Sequence, residues 1–181
     1  KLSKISNDLR LLSSGPRTGF GEIKLPEMQP GSSIMPGKVN PVIPEAMNQT
    51  AYQVIASDLA VSLAAEAGQL QLNAMEPMII YNLLNSLKML KQACEMFENK
   101  CIRGIQANEA ACLVHVENSI GIITALVPHI GYANASRVAR RALLSNATIK
   151  SLILEEQLLT EAELNELLKP EKMIAPTQVQ S

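Results

Sequence analysis

The sequence predicts an all-α protein, and its composition is the first reason. Of the 181 residues, 47% are hydrophobic but only 3% are aromatic, and tryptophan is absent. Leucine, alanine, isoleucine and methionine suit interdigitating helices better than a β-sandwich or a barrel. The net charge of −1 provides no field that attracts nucleic acid or anionic lipid. We therefore expect neither a nucleic acid nor a membrane as a partner.

The first part of the chain shows two helix signals around a long loop. Residues 1–13 are patterned as a helix that Gly15 and Pro16 end. The following loop, 16–40, contains four prolines and four glycines and is long enough to require a functional reason. The next helix is predicted from Pro41 to about residue 67, with Asn40 as its N-cap and the proline at its first position.

Further helices follow a break between Gly68 and Ala74. Asn73 and Glu76 have the spacing of a capping box, which predicts a helix that runs to about residue 105. Shorter helices are predicted at 109–118, 119–127, 133–145, 149–156 and 161–168. The last of them follows a capping box from Thr160 to Glu163.

The two long helices share an unusual charge pattern. No lysine, arginine or histidine occurs between Lys38 and Lys88. A solvated helix pair of this length normally carries charges of both signs on its outer face. The pattern therefore predicts that these helices are buried against helices outside this chain, from a longer protein or from other subunits.

The loop residues Gly31-Ser32-Ser33-Ile34-Met35-Pro36-Gly37-Lys38-Val39-Asn40-Pro41 carry the strongest functional signal. Gly31 and Gly37 allow positive φ, so that successive backbone N–H groups can converge on an anion. Lys38 and the start of the following helix add positive charge. Ser32 could serve as a base only if such groups stabilise its alkoxide. Since no histidine or aspartate lies near it in sequence, a hydrolase triad is not favoured.

Other polar residues have simpler interpretations. His115 and His129 lack metal-ligand spacing, and we expect both to be structural. The odd number of cysteines, three, suits a reducing cytoplasm. A basic cluster is expected to be a solvated helix face and not a DNA-binding element; it contains Arg137, Arg140, Arg141 and Lys150.

The 31–41 loop resembles the signature loop of the aspartase/fumarase superfamily. The resemblance extends over Leu9–Arg17, Glu66–Asn73 and Leu159–Leu164, and so covers nearly the whole chain. It implies that residues 1–106 are the C-terminal part of a long central helix bundle, with a catalytic loop at 30–40. Residues 107–181 would be a small α-helical C-terminal domain. The N-terminal part of such an enzyme would lie outside this sequence, and the chain alone is expected to be inactive.

The same resemblance implies roles for individual residues. Ser32 matches the general base that removes a Cβ proton from the substrate. Lys38, Asn40 and Ser33 match the residues that bind substrate. Glu45 matches a carboxylate that orients a histidine from outside this chain, although alone it could be a first-turn acid that complements the helix dipole. Supporting positions in the loop are Gly31, Met35 and Gly37.

Within the superfamily, the 64–78 segment separates two reactions. Class II fumarases carry Gly-Asn-Phe-Glu-Leu-Asn followed by Arg-Pro, whereas this chain has Gly68-Gln69-Leu70-Gln71-Leu72-Asn73 followed by Glu76-Pro77. This sequence resembles the ammonia-lyase branch, which converts L-aspartate to fumarate through an aci-carboxylate dianion. Fumarase remains the alternative, and a non-catalytic helical oligomerisation module is a more distant one.

The resemblance also implies how such a protein assembles and what it needs. It predicts a cytoplasmic homotetramer whose active sites combine residues of three subunits. It predicts that the reaction needs no metal ion and no organic cofactor.

Overall fold

The computed structural model describes residues 1–29 and 39–173. Its contacts divide the chain into two compact units, Lys1–Glu109 and Ala110–Ser181. The assignment of residues 1–106 and 107–181 to two domains of a lyase stays a prediction. Both units are built from helices, as the composition predicts.

The first unit is a helical hairpin with a short helix beside it. Its elements are α1 (Leu2–Leu12), β1 (Ile23–Lys24), α2 (Val42–Glu66), α3 (Glu76–Lys100), a 3-10 turn (Ile102–Gly104) and β2 (Gln106–Ala107). These helices begin and end close to their predicted positions, although α3 ends earlier than residue 105. The two strands pair antiparallel, with Ile23 opposite Ala107 and Lys24 opposite Gln106.

Small residues allow α2 and α3 to pack closely. The two helices pack against each other, and their buried positions include Ser57 and Ala64 on α2 and Ser86 and Ala93 on α3. Larger side chains complete the core near α1, where the buried residues are Met47, Phe97 and Cys101. Burial raises the pKa of the Cys101 thiol. The remaining faces of both long helices carry exposed apolar side chains.

The turn between α2 and α3 differs from the predicted capping box. The N-cap of α3 is Met75, and it makes no side-chain capping bond. Asn73 instead accepts a hydrogen bond from the Met75 N–H at 2.8 Å and donates from Nδ2 to the Ala64 carbonyl at 3.0 Å. The capping prediction was therefore wrong, because the Asn73 amide ties the turn back to the end of α2.

The second unit surrounds a compact apolar core. Its elements are α4 (Glu109–Asn118), a 3-10 turn (Ile120–Ile122), α5 (Ile123–Ser145), α6 (Ile149–Glu155), α7 (Glu161–Leu167) and α8 (Pro170–Met173). The side chains of Leu126, Val138, Ile153 and Leu164 are fully buried in it. The capping box of α7 is confirmed: the Glu163 N–H donates to Thr160 Oγ1, and the Thr160 N–H donates to Glu163 Oε2.

Gly131 interrupts α5 and separates its two predicted halves. Its φ of 78° and ψ of 156° are non-helical, a conformation that glycine adopts without the strain of a Cβ atom. In the described ranges, no single helix is long and apolar enough to cross a membrane. The pair Glu109–Asn118 and Ile120–Ser145, bent by 70°, meets that length and composition only when taken together.

Ion pairs occupy part of the predicted basic cluster. Arg137 donates to Glu156 at 2.8 Å, and Arg141 donates to Glu156 at 3.2 Å and to Glu155 at 2.5 Å. These contacts join the end of α6 to α5 and lower the pKa of Glu156, chiefly through the hydrogen bond from Arg137. Lys150 donates to the amide oxygen of Asn165.

Two separate sets of paired carboxylates in the second unit predict a pH-dependent stability. Lys169 and Lys172 lower the pKa of Glu166 to about 2, and the arginines lower that of Glu156. Carboxylates with a lowered folded-state pKa stabilise the fold above their ordinary pKa, and this contribution disappears as the pH falls towards the folded value. We expect denaturant midpoints measured by circular dichroism to fall from pH 5 to pH 2, less steeply at high salt.

A matched pair of variants tests how much of this pH dependence comes from the ion pairs of Glu156. Glu156→Gln should make the denaturant midpoint fall less steeply at low pH, because glutamine has no carboxylate that protonation could uncouple from Arg137 and Arg141. Glu117→Gln changes an exposed glutamate on α4 and should retain the slope of the unaltered protein. Equal slopes in the two variants would contradict a role for Glu156.

Candidate active site

The structure describes both flanks of the predicted loop. Six of the predicted site residues lie outside the described residues, and their roles stay predictions: Gly31, Ser32, Ser33, Met35, Gly37 and Lys38. Asn40 and Glu45 lie on the C-terminal flank, and both are half-buried. The positions of the two flanks therefore define where the loop begins and ends.

The C-terminal flank begins α2 one residue later than predicted. Pro41 is the N-cap, with φ −78° and ψ 58°, and the start of the helix has no side-chain capping bond. The Val42 N–H donates to the Asn40 carbonyl at 2.8 Å, and the Glu45 N–H donates to the Pro41 carbonyl at 3.1 Å. Asn40 therefore lies just before the cap, and the prediction that its side chain caps the helix was wrong.

Glu45 lies in the first turn of α2. Within the described ranges, its carboxylate has no hydrogen-bond or ion-pair partner. A half-buried carboxylate at this end of a helix is stabilised by the partial positive charge of the unpaired N–H groups. The geometry thus allows both roles considered above, a first-turn acid or a carboxylate that orients another group.

Asn48 fixes this end of α2 against α1. Its side chain is 3% exposed and lies 2.7 Å from the Asn7 side-chain oxygen. In one orientation of the amide, Asn48 Nδ2 donates to Asn7 Oδ1. With the amide turned over, Nδ2 instead donates to the Ser3 carbonyl at 3.0 Å and the amide oxygen accepts from Arg10 Nη1 at 3.1 Å. A buried amide with these partners holds two helices in one register. Sequence reasoning missed Asn48, although a polar residue beside the buried Met47 was a usable signal.

The N-terminal flank turns tightly after α1. The Ser14 hydroxyl donates to the Leu11 carbonyl at 2.5 Å and accepts from the Phe20 N–H at 3.1 Å. A Cβ atom on Gly19 would lie 2.4 Å from the Ser14 carbonyl group, so only glycine fits there. Leu25 then packs against the core of the first unit. The N-terminal flank is therefore fixed by specific hydrogen bonds and packing contacts, and it is not a simple linker.

Both flanks line one cavity of about 270 Å³. Ser13, Ser14 and Lys24 come from the N-terminal flank, and Val39 and Pro41 come from the C-terminal one. The last described residue before the loop is Gln29, and the first after it is Val39, which lines this cavity. The described lining also includes one basic residue, Lys24, and one acidic residue, Glu27.

Comparisons with known proteins support a lyase. Residues 1–56 match the family model described as lyase, and residues 122–175 match the one described as fumarase C C-terminus. Aspartate ammonia-lyase of Pseudomonas fluorescens is 62% identical over 99% of this chain, and that of Helicobacter pylori is 57% identical over 97%. The chain belongs to the aspartase/fumarase superfamily. It spans 37–38% of the length of these two relatives.

Solved structures of the superfamily share this fold. A fumarate lyase:delta crystallin from Brucella melitensis, bound to cobalt, is 54% identical with a TM-score of 0.90. A class II fumarase from Schistosoma mansoni is 38% identical with a TM-score of 0.85. Each match covers 97% of the present chain. The matches cover 38% of the Brucella melitensis chain and 37% of the Schistosoma mansoni chain. They confirm the prediction of an all-α fold.

Proposed function

We propose that the protein containing this chain is an aspartate ammonia-lyase, which eliminates ammonia from L-aspartate to give fumarate. The observation that carries the proposal is the similarity to proteins of that name, at 51–62% identity over 97–99% of the chain. The segment Gly68–Asn73 supports the same choice, because its glutamines differ from the fumarase pattern.

The chemistry begins with Ser32 as general base. It takes the proton from Cβ of L-aspartate, and the electron pair moves into the neighbouring carboxylate to form an aci-carboxylate dianion. Collapse of the dianion expels ammonia from Cα and leaves fumarate. A serine hydroxyl is a weak base, so its alkoxide requires the surrounding amides and a cation.

Lys38, Asn40 and Ser33 bind the carboxylate on which this charge develops. Groups that are already oriented towards the developing charge lower the barrier because they need no reorganisation during the reaction. The position of Asn40 supports this role, since Pro41 and not Asn40 is the N-cap of α2. Glu45, five residues further along, orients a histidine from outside residues 1–181. We propose that the reaction needs no resident metal ion or organic cofactor.

The proposed assembly is a cytoplasmic homotetramer with active sites that combine three subunits. The support is a stripe of apolar side chains on α2, each more than half exposed in this chain: Tyr52, Ile55, Leu59 and Leu63. On α3, further exposed apolar residues are Ile80, Tyr81, Leu84 and Leu87. Exposed apolar surface of this extent is typical of an interface between protein chains.

Fumarase is the second candidate, supported by the fold and 38% identity of the Schistosoma mansoni enzyme. The two functions differ in the group that leaves Cα, ammonia or water. A full-length protein carrying this chain should be assayed with L-aspartate and L-malate in parallel, following fumarate by its ultraviolet absorbance. Turnover of malate alone would transfer the proposal to fumarase and leave the role of the loop unchanged.

A further inference from the structure

Asn108, which is far from the N-terminal flank of the loop in sequence, binds the backbone of that flank. The Asn108 N–H donates to the Glu22 carbonyl at 2.8 Å, and its side-chain Nδ2 donates to the Gly21 carbonyl at 2.7 Å. Asn108 and Gly21 are 87 residues apart. One half-buried residue thus binds two successive carbonyl groups of the flank, a contact that we call the Asn108 clasp.

Neighbouring contacts extend the clasp along the same segment. The β1–β2 pair places Ile23 and Lys24 opposite Ala107 and Gln106. A Cβ atom on Gly104 would lie 2.5 Å from Cγ of Pro26, so the backbone of residue 104 packs directly on that ring. The flank from Gly21 to Pro26 is therefore held over its whole length by residues 104–108.

The clasp lies on the side of the loop that carries the proposed base. Ser32 follows Pro26 by six residues in sequence, whereas Asn40 follows it by fourteen. Asn40 lies on the other flank, directly before α2, and Asn48 holds the beginning of that helix against α1. A displacement of residues 21–26 should therefore affect Ser32 more than Asn40.

We infer that Asn108 is a positioning residue for the base of the proposed elimination. The inference rests on the proposed function, because it concerns the same reaction and the same loop. The side-chain N–H of Asn108 holds the Gly21 carbonyl and thereby fixes the flank from which the chain enters the loop.

The test uses two substitutions at Asn108 in a full-length protein that carries this chain. Asn108→Ala removes the donor, and Asn108→Asp keeps the shape but places a carboxylate against the Gly21 carbonyl. We expect both to lower kcat for L-aspartate by about tenfold to a hundredfold, as for a small misplacement of a catalytic group. KM should change less than kcat, because two of the three residues proposed to bind substrate, Lys38 and Asn40, lie towards the other flank.

Two further variants separate positioning from folding. Gly104→Ala leaves Asn108 intact but forces its new methyl group against Pro26, so it should lower kcat in the same way by another route. Asn99→Ala removes an exposed amide that only donates to the Glu95 carbonyl within α3, and it should leave kcat and KM unchanged. Thermal unfolding and oligomer size are measured for each variant.

The outcomes distinguish the inference from the proposed function. A kcat that falls by more than KM rises in Asn108→Ala, Asn108→Asp and Gly104→Ala supports the inference. Unaltered kcat in Asn108→Asp, or equal losses of kcat and affinity that follow the loss of thermal stability, would overturn it while the proposed function stands. If the unaltered protein forms no fumarate from L-aspartate, the proposed function fails and the inference fails with it.

Discussion

Replacing Ser32 by alanine should lower the rate of fumarate formation from L-aspartate by about a thousandfold, within the range that a general base contributes. The Cβ proton of aspartate is very weakly acidic, so its removal depends on a base at that atom. Alanine removes the hydroxyl and changes little else in volume. The measurement is kcat of a full-length protein carrying this chain, followed at the absorbance of fumarate.

Ser33→Ala provides the comparison for this result. The neighbouring hydroxyl is expected to bind substrate, so its loss should raise KM and lower kcat much less than Ser32→Ala. Both variants should unfold at the temperature of the unaltered protein. A full rate in Ser32→Ala, or the larger loss of kcat in Ser33→Ala, would contradict the assignment of the base.

Placing a charge on the exposed stripe of α2 should dissociate the oligomer. In Leu59→Glu, a carboxylate replaces a side chain that is 62% exposed in the isolated chain but is proposed to be buried between subunits. A buried, unpaired carboxylate costs several kcal/mol at each copy of the interface, enough to dissociate a symmetric assembly. Size-exclusion chromatography with light scattering should detect smaller species, and fumarate formation should fall in parallel.

Leu144→Glu is the matched control. It makes the same substitution at a leucine of the second unit that is 85% exposed. We expect it to keep the size and activity of the unaltered protein. A Leu59→Glu variant that stays tetrameric would show that the apolar stripe on α2 is not the interface.

Much of the fold follows from local sequence signals. Gly15 and Pro16 follow the end of α1, and Gly68 follows the end of α2. The Thr160–Glu163 capping box starts α7 where the spacing predicts. These signals are reliable because each satisfies backbone groups at a helix end, or prevents further helix, within a few residues.

The errors arose where a distant contact decided the local structure. Asn73 bonds to the Ala64 carbonyl across the turn, so spacing alone could not show that it does not cap α3. The flanks of the loop raise the same difficulty, since Asn48 and Asn108 act on segments 41 and 87 residues away.

The candidate site could be predicted only in part for a related reason. The loop is contiguous in sequence, so its residue types alone indicate an anion and a base. The interval without lysine, arginine or histidine between Lys38 and Lys88 indicated burial by other chains, and the exposed stripe on α2 is its structural counterpart. Glu45 is proposed to orient a histidine from outside residues 1–181, and no pattern within these residues can specify that histidine.

The central claim is tested most directly by the products formed from L-aspartate. A full-length protein carrying this chain should be incubated with L-aspartate alone while fumarate and ammonia are both quantified. The account predicts equal amounts of the two, because one elimination releases one of each. Fumarate from L-malate but not from L-aspartate, or no fumarate from either, would contradict the account.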